Sequence, residues 1–370
     1  MNARERFVTY VQKGGTPFAS PQIGAGAGFD AKMTGKRWLG EVTLDDTLEV
    51  CQRFDMVPLL NTGPVGYEQG DNRLAWHTET LQNTDTRRTY RSTLDSPYGV
   101  MERITVEEPM KGSFMTKYPV QNKEDLDIQE WYFETLLESD FTYQTEHLAR
   151  LVERIDGRAA LSVQWGMQPY ELLSFSTIID AVFLCNDYPE QYLRMMEMMV
   201  VLDRKFFDCC AQAGVDFVLM GGPAAETLSP NIYHQYLIPY SKRVTDMAHD
   251  KGLLVYSHVC SPVEPFLTMG FFGQMGIDLF ETLSPPPVGN LISLTDAFTK
   301  LPESMCTRGN IGLDVLLQET PEQIYKRSMA IMKESQGRKH ILAASDYMFY
   351  GVPEENVRAM CDAARDFTNT

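Results

Sequence analysis

Residues 217–260 read FVLMGGPAAETLSPNIYHQYLIPYSKRVTDMAHDKGLLVYSHVC. Phe217–Gly221 (FVLMG) and Leu253–Val259 (LLVYSHV) are short, apolar and bounded by glycine, as strands buried on both faces are. Between them Ser229-Pro230 caps a helical run carrying Tyr233, Tyr236, Leu237, Tyr240, Val244 and Met247, which Gly252 ends. A strand, a capped helix and a second strand form the unit from which parallel sheets are built.

The same punctuation delimits six further runs on either side. They are Pro17–Ile23 (PFASPQI), Met56–Thr62 (MVPLLNT), Ala159–Trp165 (AALSVQW), Leu279–Ser284 (LFETLS), Ser304–Asn310 (SMCTRGN) and His340–Ser345 (HILAAS). Helical patterns separate most of them. Thr43 or Asp45 caps the segment of Leu44, Leu48 and Cys51; Thr320-Pro321 opens another, and a last one starts near Pro353. Eight strands alternating with helices predict an α/β fold, a (β/α)8 barrel of the TIM type, as one domain over residues 1–370. The alternative, an open doubly wound sheet, needs a GxGxxG after a strand. GAGAGF at Gly24–Phe29 lacks that spacing and shows no helix pattern, so it reads as a flexible loop.

One excursion interrupts the rhythm. Gly63–Asn122 is too long for a βα loop. Thr84–Glu107 alternates like a hairpin with Ser96-Pro97-Tyr98-Gly99 as its turn, and Lys123–Glu153 reads as two helices. Residues 63–153 as a whole are expected to be an insertion after the second strand, on the active face. It either covers the barrel or binds a second copy, giving a homodimer.

The chain has 370 residues, 44% hydrophobic and 22% charged, which excludes a disordered or fibrous protein. Its 33 basic and 50 acidic residues give a formal charge of −17, a field that repels a nucleic-acid backbone. No apolar run is long enough for a membrane span; the best, Met195–Leu202, contains Glu197. MNARERFVTYVQKGG lacks the apolar core of a signal peptide, and seven cysteines do not form a disulfide framework. A cytoplasmic location is therefore expected, with Cys209 and Cys210 as core fillers.

Barrel chemistry gathers at the carboxyl ends of the strands. Those positions hold Asn61, Gln164, Trp165, Glu226, His258, Cys260, Glu281, Asn310 and Asp346. His258 and Cys260, two apart on a strand, point into one space. Nitrogen and sulfur together suit zinc, with Glu226 or Asp346 completing the set; the alternative is a hydrogen-bonded histidine beside an inert thiol. Glu281 and Asp346 are the candidate catalytic acid–base groups. Asn61, Gln164 and Asn310 are candidate cofactor-binding residues. Cys306 reads as packing, and Trp76, Trp165 and Phe349 as core or as walls for an aromatic ligand.

Three stretches carry a resemblance: LSPNIYHQYLIPYSKRVTDMAHDKGLLVYSHVC (Leu228–Cys260), RGNIGLDVLLQETPEQI (Arg308–Ile324) and HILAASDYMFYGVPEENVRAM (His340–Met360). DSPYGVMERI (Asp95–Ile104) and YPVQNKEDLD (Tyr118–Asp127) add to it. With them the sequence resembles the uroporphyrinogen decarboxylase superfamily, and its corrinoid-linked methyltransferase branch in particular. The resemblance implies a distorted (β/α)8 barrel. True uroporphyrinogen decarboxylases hold substrate carboxylates with an arginine-rich amino-terminal segment. Here no arginine occurs between Arg6 and Arg37, which argues against that substrate.

The methyltransferases bind zinc through an H-x-C motif and a later cysteine. His258 and Cys260 match the motif; the later position falls on Asp346. Replacing a thiolate by a carboxylate makes the metal a harder Lewis acid, suited to a donor whose methyl leaves oxygen or nitrogen. The expectation is a methyltransferase acting between a small O- or N-methyl donor and a corrinoid (cobalamin), supplied by a corrinoid protein or free. A metal-independent decarboxylase of a tetrapyrrole or small acid is the first alternative, with His258 and Asp346 handling protons. A non-catalytic corrinoid or tetrapyrrole binding protein is the second.

Overall fold

The structure, a computed structural model, describes residues 1–24, 26–64, 67–68, 72–139, 141–164, 175–221 and 229–369. After helices Ala3–Lys13, Phe29–Met33 and Leu44–Arg53, the chain enters the central sheet at β1 (Leu59–Pro64). The excursion follows: β2 (Tyr67–Glu68), β3 (His77–Asn83), β4 (Arg88–Ser96), β5 (Gly99–Glu107), β6 (Phe114–Lys117), helix Lys123–Glu138, β7 (Thr142–Tyr143) and helix Thr145–Ile155. The chain then completes the sheet with β8 (Ala160–Gln164), β9 (Phe217–Gly221), β10 (Leu254–His258), β11 (Leu279–Glu281), β12 (Cys306–Ile311) and β13 (His340–Ala344). Helices separate these strands, down to two of five residues each between β10 and β11 and one of seven between β11 and β12.

The central sheet is parallel, seven-stranded and ordered β1-β8-β9-β10-β11-β12-β13. It curls in the manner of a TIM-type barrel. One buried cluster collects Leu59, Ala160, Phe217, Tyr256, Leu279, Cys306 and Ile341, at least one residue from each strand, around Phe7 and Tyr10 of the first helix. That helix plugs the amino end of the sheet. Phe7 meets Phe217 edge-on at 5.7 Å, the Tyr10 hydroxyl donates to His340 O at 2.9 Å, and Arg4 pairs with Asp216. Closing that end leaves the carboxyl ends of the strands as the open face.

Seven of the eight expected strands are found, most within two residues of their predicted bounds. The exception is Pro17–Ile23. There Ala19 forms a single parallel bridge to Leu342, flanked by Ser20 N–H to Leu342 O and Val57 N–H to Ala19 O. The segment thus touches both edges of the sheet. Pro17 and Pro21 lack the N–H groups a longer ladder needs, which reduces it to a bridge.

The excursion contains the expected hairpin, with Ser96 opposite Gly99. It is larger than expected. β3 and β6 extend it to a four-stranded antiparallel sheet, and every residue of β3 is exposed, so HTETLQN gives no apolar alternation to read. Leu126, Phe133, Leu136 and Leu148 of its helices join the main core. Thr43, with Asp46, forms a capping box, as Thr320 does with Gln323. The helix after Ser229-Pro230 contains an unforeseen π-helical turn at Tyr233–Leu237. A short helix, Phe29–Met33, begins at the end of GAGAGF, where none was expected; Gly28 at φ +111° supplies its left-handed entry. No helix among the described residues is long and apolar enough to cross a membrane.

Candidate metal centre

His258 is the last residue of β10, and its imidazole stands at the open end of the sheet. Its Cα partner on β11 is Glu281, whose own partner on β12 is Arg308. The three side chains form a row across adjacent strands. Arg308 Nη1 donates to Glu281 Oε2 at 3.0 Å, Arg308 Nε donates to Ser20 O at 2.8 Å, and Glu281 Oε1 lies 2.9 Å from His258 Nδ1. Glu281 is 0% and Arg308 1% exposed, so this is a buried ion pair, and it reaches the open end of the sheet through His258.

The other nitrogen of His258 faces a different set. Asp346, just past β13, puts Oδ1 3.2 Å from His258 Nε2, and Cys260 stands beside both. The strand stops at His258, yet the convergence expected of His258 and Cys260 holds. One donor atom from each of His258, Cys260 and Asp346 lies within 4.8 Å of the others. Tyr347 N–H donates to Asp346 Oδ1, and its ring lies 5.4 Å from the imidazole.

The charges are held in place. Burial alone would raise the Glu281 carboxyl, but the Arg308 charge and the hydrogen bond from His258 outweigh it and keep it below the usual carboxylate range. Burial opposes a charge on His258 as well; hydrogen bonds to Asp346, Cys260 and Glu281 prevail and raise the imidazole well above its ordinary value. Asp346 follows Glu281: burial raises it, and the His258 partnership lowers it further than burial lifts it.

A metal ion fits these groups. With its Nδ1 proton committed to Glu281, a neutral His258 presents the Nε2 lone pair to the space shared with Cys260 and Asp346. One nitrogen, one sulfur and one oxygen are three donors of the kind zinc accepts, and all three residues are partly exposed.

Among the described residues, no other candidate joins this group. Glu226 and Trp165 fall outside the described residues. Asn310 donates to Leu283 O at 3.1 Å and braces the loop after β11. Gln164 ends β8, half-buried. Asn61 lines a separate cavity. Cys306 is buried packing, and Trp76 lies under the Arg103 guanidinium. Glu281 was expected as an acid–base group; the structure places it behind His258, with both oxygens engaged. Arg308 was not singled out. Its signal was present, a lone arginine inside an apolar strand, but its partner depends on strand register.

The sequence profile of the uroporphyrinogen decarboxylase (URO-D) family matches residues 104–367. A uroporphyrinogen decarboxylase of Prochlorococcus marinus (strain NATL1A) is 25% identical over 240 residues, covering 62% of this chain and 64% of that protein. One from Parasynechococcus marenigrum (strain WH8102) is 27% identical over 223 residues, covering 57% and 59%. The chain thus spans less than two thirds of these curated relatives. Among solved structures, a methyltransferase from Methanosarcina mazei superposes over 99% of both chains with a TM-score of 0.67 at 12% identity, a likeness of fold.

Proposed function

Because this chain belongs to the uroporphyrinogen decarboxylase family, we propose that it is a methyltransferase, moving a methyl group between a small O- or N-methyl donor and a corrinoid. The observation that carries this reading is the meeting of His258 Nε2, Cys260 Sγ and the Asp346 carboxylate at the open end of the sheet. Those three residues would hold zinc, which when bound supplies a Lewis acid to a poor leaving group.

The chain's own residues have distinct tasks. Arg308 holds Glu281 ionised; Glu281 holds the proton on His258 Nδ1 and so directs Nε2 outward. Glu281 is a positioning residue on this reading. Asp346 contributes its carboxylate, aligned by the Tyr347 N–H. In the transfer the carbon–heteroatom bond breaks, the corrinoid provides the electron pair for the new bond, and the heteroatom keeps the old pair. An alkoxide or phenolate leaving group then needs an electrophile or a proton.

Elemental analysis tests the reading together with methyl transfer to free cob(I)alamin from methoxylated aromatics and methylamines. Stoichiometric zinc that is lost in Cys260→Ser along with transfer is the expected result. No stoichiometric zinc after gentle purification, with full activity in Cys260→Ser, overturns it.

The names of the curated relatives favour a second reading, a metal-independent decarboxylase in which His258 and Asp346, 3.2 Å apart, relay a proton. Against a porphyrinogen substrate stands the absence of arginine between Arg6 and Arg37. Release of carbon dioxide by metal-free protein would establish it.

A further inference from the structure

A second concave site lies at the same end of the sheet. Beside β1, a cavity of about 280 Å3 is walled by Ile23, Leu39, Leu60 and Leu151, with Asp30, Thr47 and Asn61 among its polar members. That volume falls just under the roughly 300 Å3 at which drug-sized ligand pockets begin, so it suits a small ligand. Ile23 and Gly24 belong to a segment tied to the loop of Asp346. Met348 N–H donates to Gln22 O at 3.0 Å, and Phe29 N–H donates to Met348 O at 3.1 Å. The cavity is therefore joined to the metal-ligand cluster through two hydrogen-bonded loops.

Two of its polar groups are incompletely matched. Asp30 is 2% exposed, and its carboxylate accepts from Ala31 N–H at 3.0 Å and from the Thr47 hydroxyl at 2.8 Å. Among the described residues no lysine, arginine or histidine forms an ion pair with it. Asn61 Oδ1 is buried without a hydrogen-bond partner. A buried carboxylate calls for a cation and a buried amide oxygen for a donor; neither accommodates an anion. The described wall holds no aromatic ring, so a cation here is held by N–H bonds rather than by the π-faces that receive quaternary ammonium groups.

We infer that this cavity binds a small secondary or tertiary alkylammonium ion. Its charge and N–H meet Asp30 and Asn61 Oδ1, and its alkyl groups lie against Ile23, Leu39, Leu60 and Leu151. The ligand's role as methyl donor rests on the methyltransferase reading above; the binding itself does not. A protonated amine also leaves as a neutral molecule, so the donor carries its own leaving-group activation.

Calorimetry and thermal unfolding on the full chain test this with trimethylammonium, tetramethylammonium and 4-methoxybenzoate. Trimethylammonium is expected to bind and to raise the unfolding temperature, with the other two weaker by about tenfold or more, the scale of one charge-assisted hydrogen bond. Asp30→Asn should lose about tenfold in trimethylammonium affinity yet unfold at a higher temperature without ligand, because it removes an uncompensated buried charge. Asn61→Asp should tighten trimethylammonium binding. Failure of the wild type to bind trimethylammonium, equal binding of tetramethylammonium, or an Asp30→Asn chain less stable than wild type without ligand overturns the inference. Zinc content and methyl transfer measured on the same samples keep the two readings apart. Transfer from a methoxylated acid without trimethylammonium binding defeats only the cavity assignment. Trimethylammonium binding without zinc or transfer defeats only the methyltransferase.

Discussion

His258 and Glu281 are direct Cα partners on adjacent parallel strands, with Nδ1 and Oε1 2.9 Å apart. Since one oxygen of Glu281 serves His258 and the other serves Arg308, the imidazole is fixed by a carboxylate that cannot turn away. Partners of this kind set the tautomer and basicity of a ligating histidine, and their loss costs about 10–100-fold in metal affinity. Glu281→Gln is therefore expected to weaken zinc binding by about that factor while Cys260 and Asp346 stay in place. Competition titration against a chromophoric chelator measures it; an unchanged affinity would remove Glu281 from the site.

The Arg308–Glu281 pair makes a separate prediction about stability. Removing one member of a buried ion pair leaves an uncompensated charge and costs about 3–5 kcal/mol. Arg308→Met should lose that much in urea unfolding, and Glu281→Met with Arg308→Met should recover a large part of it. An additive double variant would mean that the two side chains act independently.

The strands were legible because apolar runs such as FVLMG and LLVYSHV are closed by glycine, and burial on both faces leaves no other reading. What escaped has physical reasons. The Pro17 and Pro21 rings shorten a strand without changing its apolar character. β3 is exposed on both faces and so carries no alternation at all. His258, Cys260 and Asp346 were legible as types at strand ends. Arg308 was not, because its role depends on lying opposite Glu281, and register is not written in either strand alone. Asp30 was hidden for a related reason: only the fold shows that, among the described residues, no cation forms an ion pair with it.

His340 predicts part of the pH dependence of stability. Its ring is buried on β13, Nδ1 accepting from the Thr307 hydroxyl at 2.8 Å and Nε2–H donating to Gly309 O at 3.0 Å. Burial, only partly opposed by the Gly309 hydrogen bond, pushes its pKa down to about 4. In the unfolded chain histidine titrates near 6.5, so below that pH the unfolded state binds more protons. The stability due to neutral His340 is whole above about pH 6.5 and is lost as pH falls towards 4, at up to about 1.4 kcal/mol per unit. Urea midpoints across this range should fall less steeply in His340→Gln than in the wild type. Equal slopes would assign the acid sensitivity to other groups.

Asp346 offers the most direct control over the chemistry of the site. Its carboxylate, 3.2 Å from His258 Nε2, stands where the resemblance places a second cysteine in zinc methyltransferases. Asp346→Cys keeps three donors but exchanges hard oxygen for soft sulfur. Zinc should remain stoichiometric and bind at least as tightly. The ion would carry more electron density, and a Lewis acid so weakened should slow transfer from oxygen or nitrogen donors while favouring activation of an added thiol. Asp346→Asn instead retains the shape and removes the charge, so both zinc and transfer should fall. Measuring zinc content, donor demethylation and thiol alkylation for the three proteins separates ligation from proton transfer. If Asp346 were only an acid–base group, both variants would lose activity alike and zinc would be unaffected in each.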